Sequence, residues 1–466
     1  MTRDASTGIT VIVVGLGIAG LSAAIECHRQ GHKVIGLEKK GDAHQLGDII
    51  GLSGNGLNVL SRWSSADESI ISRLAAVGSE LSSVEVYSDA GECKHVIPFG
   101  ADDPAQGLFL RRSDLVDAMY QYATTELGLD LRFGVTVDEY WETETEAGVT
   151  INGKEKITGH CVIAADGLYS KARAIITGEE PLGDAAALLQ TGGAIFRSNF
   201  DASEVINDPD ARWVLEGTAE HDRHEIYFGR DVTILVGTIG KGKYVWWNCP
   251  HRDVAKATEN WVQEATVDPV LAYIQDWPIA KKLSAVISKT PQGKCFNHAL
   301  VTRKPLGTWV SPKGRMILIG DAAHPFLPHT GQGANQSIED AAVVAICLRL
   351  SSLAAEDGEG DGVPLALRAM EKLRHKRVTV IQQGSIEAQE VTLEADLDQN
   401  ASNDRFNAIA RPGWIHCYDC VSHTHEEFDR VAEAVRKGTE YIPTNVPVDG
   451  KFHAEDDYRL AKGTTE

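Results

Sequence analysis

The sequence predicts an α/β fold in which a parallel-sheet, dinucleotide-binding unit is interrupted by an inserted, mostly antiparallel β-sheet and followed by C-terminal helices. Three observations carry this. Short apolar runs at Thr10 to Val14, Lys33 to Leu37, His160 to Asp166 and Met316 to Ile319 each stop at a glycine or an acid, as buried parallel strands do. From about Gly192 to Ile287 the pattern changes to alternating, aromatic-rich segments such as Gly193 to Arg197, Glu225 to Phe228 and Tyr244 to Trp247, which read as antiparallel strands. Ala334 to Leu348 and Leu365 to Leu397 have the composition and periodicity of helices.

The first apolar run leads into Gly15-Leu16-Gly17-Ile18-Ala19-Gly20, which fits GxGxxG, and Leu21 to Gln30 continues as a helix closed by Gly31. The second run ends at Glu38. Strand, turn, helix and terminal acid together make a Rossmann-type fingerprint: Gly15, Gly17 and Gly20 allow a tight turn and close pyrophosphate approach, and Glu38 is placed for ribose hydroxyls. A carboxylate there repels a 2′-phosphate, so FAD or NAD(H) is the expected nucleotide. Gly47 to Asn58 is glycine-rich but lacks the ending of a phosphate loop, and it reads as a segment passing near a cofactor. Asp48 within it is either a solvated turn aspartate or a working carboxylate.

Leu108 to Arg112 reads as a strand ending in cations, with Ser113-Asp114 capping a helix that runs to about Tyr122. Arg112 is a candidate for a phosphate or flavin side-chain contact, with a surface arginine as the alternative. After the third strand comes Asp166-Gly167, with Ser170 and Arg173 in the next turn. The inserted sheet is expected to wall a pocket at the domain junction, although its aromatics also suit ordinary core. Arg197, at the end of the strand Gly193 to Phe196, is a candidate to hold the substrate or a reactive oxygen species, against a structural arginine. Asp321 follows the strand Met316 to Ile319, at the carboxyl end where open α/β sheets bind ligands, and suits the hydroxyls of a sugar-alcohol chain. Gly331 and Gly333 permit close backbone approach to a flat ligand. Ala334 and Asn335 open a helix whose N-terminal amides favour negative charge. Glu356 to Gly362 reads as a surface loop, Arg374 and Arg377 as members of an exposed helix face, and the chain from Val431 as a polar tail.

Composition sets outer bounds. With 466 residues and 43% apolar content the chain can bury a large core in two intimately joined domains. Its formal net charge of −21 argues against nucleic acid or an anionic membrane as partner. The eight cysteines are scattered and read as reduced core residues, and Cys417 with Cys420 is a lone CxxC, weak support for zinc, so no metal is expected. Ile9 to Ile25 is better explained as strand, turn and helix than as a signal peptide, and no apolar run is long enough to span a bilayer. A soluble, cytoplasmic protein without an integral membrane segment is expected; the oligomeric state is not readable.

The fingerprint with Glu38, the Asp166-Gly167 pair, and Gly320-Asp321 running into Pro328 and Gly331-Gln332-Gly333-Ala334-Asn335-Gln336 together resemble the single-component FAD-dependent aromatic hydroxylases, over roughly residues 9 to 420. Gly413-Trp414-Ile415-His416-Cys417-Tyr418-Asp419 is similar to the family's late tryptophan-tyrosine-aspartate segment. The resemblance implies that Gly15, Gly17, Gly20 and Glu38 hold the ADP half of FAD, that Asp166 lies where FAD and NAD(P)H both approach, that Asp321 binds the ribityl chain, and that Arg112 is the family's arginine at the strand before a helix. It implies reduction of FAD by NADPH or NADH, formation of a C4a-hydroperoxide with dioxygen, and transfer of one oxygen atom to an electron-rich ring. More loosely, the chain looks like fungal members acting on phenolic or indole natural products, including those that epoxidise an indole at its 2,3 bond and let it rearrange to a spiro-oxindole. It departs from the commonest form of the family at Asp48, which suits a catalytic acid or base for such an epoxidation. A phenol- or salicylate-type hydroxylase and a flavin dehydrogenase or reductase are the alternatives. The expected organisation is FAD-binding segments at 1–85, 108–190 and 301–395, substrate-domain segments at 86–107 and 191–300, and a C-terminal helical segment and tail at 396–466.

Overall fold

The computed structural model describes residues 3–42, 49–64, 69–80, 82–98, 107–178, 188–356, 362–394 and 411–453. Asp48 and most of the Glu356 to Gly362 loop lie outside the described residues.

The chain opens with a βαβ unit of β1 (Thr10–Val14), α1 (Ile18–Arg29) and β2 (Lys33–Glu38). β3 (Ile49–Leu52), α2 (Gly54–Leu60), α3 (Ile70–Val77) and β4 (Ser79–Glu80) lead to the hairpin of β5 (Ser83–Ser88) and β6 (Cys93–Pro98). The chain returns through β7 (Leu108–Arg111), α4 (Arg112–Gln121) and β8 (Asp130–Phe133), then forms a meander of β9 (Val137–Glu142), β10 (Ala147–Ile151) and β11 (Glu155–Gly159) before β12 (Cys161–Ala164) and α5 (Ala172–Thr177). A second excursion contains β13 (Leu189–Asp201), α6 (Ser203–Ile206), β14 (His224–Gly229), β15 (Val232–Ile239), β16 (Tyr244–Arg252), α7 (Asp268–Ile274), α8 (Ala280–Ile287) and β17 (Cys295–Thr302). β18 (Met316–Leu318) is followed by α9 (Gly333–Glu356), α10 (Gly362–Glu394), α11 (Gly413–His416) and α12 (Cys420–Lys437).

Five strands form a parallel sheet in the order β18-β12-β1-β2-β8, buried because helices cover it. Seven form a second sheet in the order β17-β13-β16-β15-β14-β5-β6, antiparallel except where β14 meets β5. One face of this second sheet, carrying Phe196, Phe200, Trp247 and Cys249, packs on Val270, Ile274, Leu283 and Val286 of α7 and α8. Its other face therefore turns toward the first unit, as the packing of Ile195 and Leu300 on Leu327 and Ile386 confirms. No described helix is long and apolar enough to cross a membrane.

Four local expectations are corrected. Arg374 and Arg377 are completely buried, because α10 packs on α9 and its arginines meet acids there. Arg197 is buried in mid-strand, since β13 continues past it to Asp201. Arg112 is the first residue of α4 and not the last of a strand, and Ser113-Asp114 does not cap the helix: Asp114 instead pairs with Arg111 at 2.6 and 2.8 Å. Beyond Val431 the chain stays helical to Lys437, with Phe428, Val431, Ala432 and Ala434 buried at helical spacing. Six cysteines are buried, whereas Cys93 is exposed and Cys417 half-buried.

Candidate active site

The register of the parallel sheet aligns Leu318, Ala164, Val14 and Leu37 in one row, so the residues that follow them share its carboxyl edge. Asp321, Asp166, Gly15 and Glu38 come together in this way. Three strand spacings separate the outer two positions, about 14 Å, the span of an extended ligand. At the edge Gly15 has φ +88°, and a Cβ there would lie 2.4 Å from the Ala165 carbonyl oxygen. Gly20 admits no Cβ either, because it would meet the Gly15 carbonyl oxygen at 1.7 Å, so this glycine packs helix against strand. Gly17, Gly167 and Gly331 face open space instead.

Glu38 accepts the Leu16 amide at 2.8 Å on Oε2 and the Lys40 amide at 2.9 Å on Oε1, which fixes its plane and leaves acceptor capacity for hydroxyls. Asp166 is half-buried; Tyr140 donates its hydroxyl to Oδ2 at 2.8 Å, while Oδ1 has no partner. Burial raises the Asp166 carboxyl, with Tyr140 among the groups that oppose the shift. Asp321 presents exposed surface although protein crowds it on several sides, the condition of a group lining a recess. That crowding pushes its carboxyl up, against the pull of His324 and Arg112, which locates Arg112 near the Asp321 end of the edge. In the turn before α9 both ring nitrogens of His329 and the hydroxyl of Thr330 are unpartnered, and burial pushes the His329 imidazole down to about 4. Open space at glycines beside unpartnered polar atoms is what a flavin dinucleotide would fill.

Gly331, at φ +61°, turns the chain into α9, and Gly333 and Ala334 stand half-buried at the helix start. The Asn335 side chain is engaged within the protein. Its Nδ2 donates to Gly51 O at 3.0 Å and Gly331 O at 2.9 Å, and its Oδ1 accepts from the Ser53 amide at 3.0 Å. The side chain is thus spent on stapling β3 to the turn, and only the backbone of Asn335 remains for a cofactor.

Sequence reasoning missed the buried network behind this edge. Asp340 accepts from the Gly320 amide at 3.1 Å and His324 Nε2 at 2.5 Å on one oxygen, and from Arg374 Nε at 2.9 Å on the other. Arg374 also binds Glu339 and donates to Gln336 Oε1 at 2.7 Å. Arg377 donates to Glu339 at 3.1 Å and to the Trp414 and Ile415 carbonyls at 2.7 and 3.1 Å, tying in the late tryptophan-tyrosine-aspartate segment. Burial opposes ionisation of Glu339 and Asp340, yet their cationic neighbours prevail and hold both carboxyls below the usual range. The signal was present: adjacent acids in a helix buried all round require cationic partners.

Facing the edge is the inner side of the seven-stranded sheet. Arg197 pairs across it with Asn248 and Phe296, and Asn248 with Leu235. Leu235, Asn248, Phe296 and Asn199 are only half-buried in mid-sheet, so this face is incompletely covered by protein. The guanidinium of Arg197 lies 5.2 Å from the rings of both Trp261 and Phe296, and it donates to the Trp261 carbonyl and to His298 Nδ1, the latter at 3.4 Å. Phe109 of β7 touches His224 of β14 at one end of this surface, with ring centroids 5.0 Å apart, and Leu327 touches Ile195 and Leu300 at the other. No described group of His, Cys, Asp and Glu could hold a metal ion.

A glycine-lined carboxyl edge with an antiparallel sheet closing over it defines a flavin-dependent oxidoreductase class. Residues 8–383 match the family described as FAD binding domain, and the chain belongs to that family. It is an enzyme of the FAD-dependent monooxygenase class, as its full-length relatives are. Notoamide E oxidase notB' of Aspergillus versicolor is 48% identical over 96% of this chain and 95% of its own, and asperlicin C monooxygenase of Petromyces alliaceus is 38% identical over 95% and 93%. The crystal structure of CtdE in complex with FAD and substrate 4 superposes with a TM-score of 0.84 at 40% identity, covering 92% of this chain and all of that one. FqzB matches with a TM-score of 0.83 at 39% identity over 97% and 99%.

Proposed function

We propose that this enzyme inserts one oxygen atom of dioxygen into the electron-rich ring of an indole natural product, by 2,3-epoxidation followed by rearrangement to a spiro-oxindole. The balance is substrate, dioxygen, NAD(P)H and a proton giving oxygenated substrate, water and NAD(P)+. FAD, when bound, supplies the activation of dioxygen. Gly15, Gly17, Glu38, Arg112, Asp166, Asp321 and the backbone of Gly331 to Asn335 would hold it. The observation that supports this reading is that the sheet face bearing Arg197 packs, through Ile195 and Leu300, on Leu327 in the segment that follows Asp321. The names of two relatives, an oxidase of notoamide E and a monooxygenase of asperlicin C, support a natural-product substrate.

In this reading Arg197 orients the substrate by charge-assisted hydrogen bonds, from a guanidinium already fixed by Trp261 and His298. Asp48 delivers the proton to the opening epoxide, from the segment that enters β3. The aromatic side chains of this face exclude water. The test is NADH and NADPH consumption with indole-type and phenol-type panels, under air and under nitrogen, with product mass spectra in ¹⁸O₂. Incorporation of one labelled atom into an indole with a rearranged skeleton is expected; turnover that proceeds equally under nitrogen overturns the reading.

A further inference from the structure

The inward face of the seven-stranded sheet carries a second polar feature, separate from Arg197. His224, Gly237 and Trp246 lie side by side in register on β14, β15 and β16. Because the middle position is glycine, the indole of Trp246 lies across it: a Cβ on Gly237 would stand 3.0 Å from two indole atoms. The indole thus reaches toward His224, with ring centroids 5.7 Å apart, and Phe109 closes the group from β7. His224 is 5% exposed and Trp246 4%, yet neither imidazole nitrogen of the first nor Nε1 of the second has a hydrogen-bond partner. Three unpaired nitrogens in one buried aromatic corner cost stability unless something else fills them.

We propose that Phe109, His224 and Trp246 form a recognition box for an uncharged, hydrogen-bonding group, a carbonyl or amide, that the substrate carries away from its reacting ring. This rests on the proposed oxygenase reading of the same sheet face. An indole N–H can only donate, so the group must offer an acceptor; a neutral imidazole has one donor and one acceptor, so an amide edge satisfies the box best. Burial pushes the His224 imidazole down to about 4, with Asp222 pulling the other way, and the box therefore has no charge of its own at neutral pH. The neighbouring cation on β7, Arg111, is held by Asp114 through two hydrogen bonds of 2.6 and 2.8 Å. A carboxylate placed here would lose its hydration without a free counter-charge.

The test uses the holoenzyme and six probes: indole-3-propionamide, indole-3-propionate and 3-butylindole, with 3-(4-hydroxyphenyl)propionamide, the matching propionate and 4-butylphenol. Affinity is read from the perturbation of the visible flavin absorbance. In at least one ring series the amide is expected to bind about 10-fold tighter than both the alkyl and the carboxylate probe. Trp246→Phe, which keeps an aromatic ring, and His224→Phe should each reduce that preference to within about 2-fold, with FAD content unchanged. Retention of the amide preference in both variants, or absence of it in the wild type, overturns the proposal. Which ring series gives oxygen-dependent product is a separate readout, so the oxygenase reading can fail without this one and the reverse.

Discussion

Arg374→Met is the most informative perturbation of the scaffold. Methionine keeps most of the side-chain volume, so the change removes charge and hydrogen bonds with little cavity. Arg374, Glu339 and Asp340 are all fully buried, and Arg374 bridges the two acids. Breaking one partner of a buried ion pair costs about 3–5 kcal/mol, a large share of a total stability of roughly 5–15 kcal/mol. The pH dependence follows from the sign of the shifts. In the wild type both carboxyls are held low, so their contribution is present above the unfolded carboxylate range and lost as pH falls through the folded values. Without Arg374, burial is opposed by Arg377 and Asn55 at Glu339 and by His324 at Asp340, so both carboxyls should lie higher than in the wild type. Protonation then relieves the variant, and its deficit should shrink on acidification. Because Asp340 also holds the Gly320 amide and His324, the loop carrying Asp321 should loosen and FAD should bind more weakly. Urea unfolding at pH 8 and pH 6 with FAD titration measures both effects. A deficit under about 1 kcal/mol at pH 8, or one that grows on acidification, refutes the reasoning.

Asp321→Ala should weaken FAD binding by roughly 10- to 150-fold, the equivalent of about 1.5–3 kcal/mol for a charged hydrogen-bond partner, as measured by flavin retention on dialysis. Arg197→Ala should keep FAD while uncoupling NAD(P)H oxidation from product and releasing hydrogen peroxide; unchanged coupling leaves the residue a structural role. Asp48→Asn should keep FAD and its reduction but slow product formation by about 10²- to 10⁴-fold, and a near wild-type rate removes Asp48 from the chemistry. His32 is buried with its imidazole pushed down to about 4, so the unfolded chain binds more protons between about 4 and the ordinary histidine value. Its contribution is full above pH 6.5 and lost as pH falls toward 4, worth about 3 kcal/mol, and His32→Phe should flatten the stability profile in that window.

Four strands of the parallel sheet were legible because they read as apolar runs closed by a glycine or an acid, whereas β8, with sequence DLRF at the sheet edge and no buried residue, carries no such run. The acids after those runs could then be located by topology alone: parallel strands put Glu38, Asp166 and Asp321 on one edge. Side-chain destinations were less legible. α10 looks solvated when read alone, and only the acids of α9 reveal that Arg374 and Arg377 turn inward. Asn335 lies in a cofactor-like motif, yet its amide is engaged by the Gly331 carbonyl four residues before it and by the Gly51 carbonyl, the latter a pairing across 284 residues that no local pattern encodes. Arg197 was read as the end of a strand, but cross-strand pairing with β16 carries β13 through to Asp201.

The two kinds of buried polarity in this protein separate scaffold from site. Between α9 and α10 the guanidinium of Arg374 meets a carboxylate or amide oxygen at each of its three nitrogens, and Asp340 uses both of its oxygens. Such a network positions the Gly320 turn, because Asp340 is held at once by the Gly320 amide, His324 and Arg374. On the sheet face opposite, His224, Trp246 and His298 keep ring nitrogens unpaired although each side chain is buried. For His298 the tautomer is set as well: Nδ1 accepts from Arg197, which can only donate, so the neutral ring carries its proton on Nε2 and presents an unused donor. An apolar residue at any of these positions would be cheaper for folding. Their polarity is therefore best accounted for by what docks on this face, and a substrate that satisfied none of them would bind by ring burial alone.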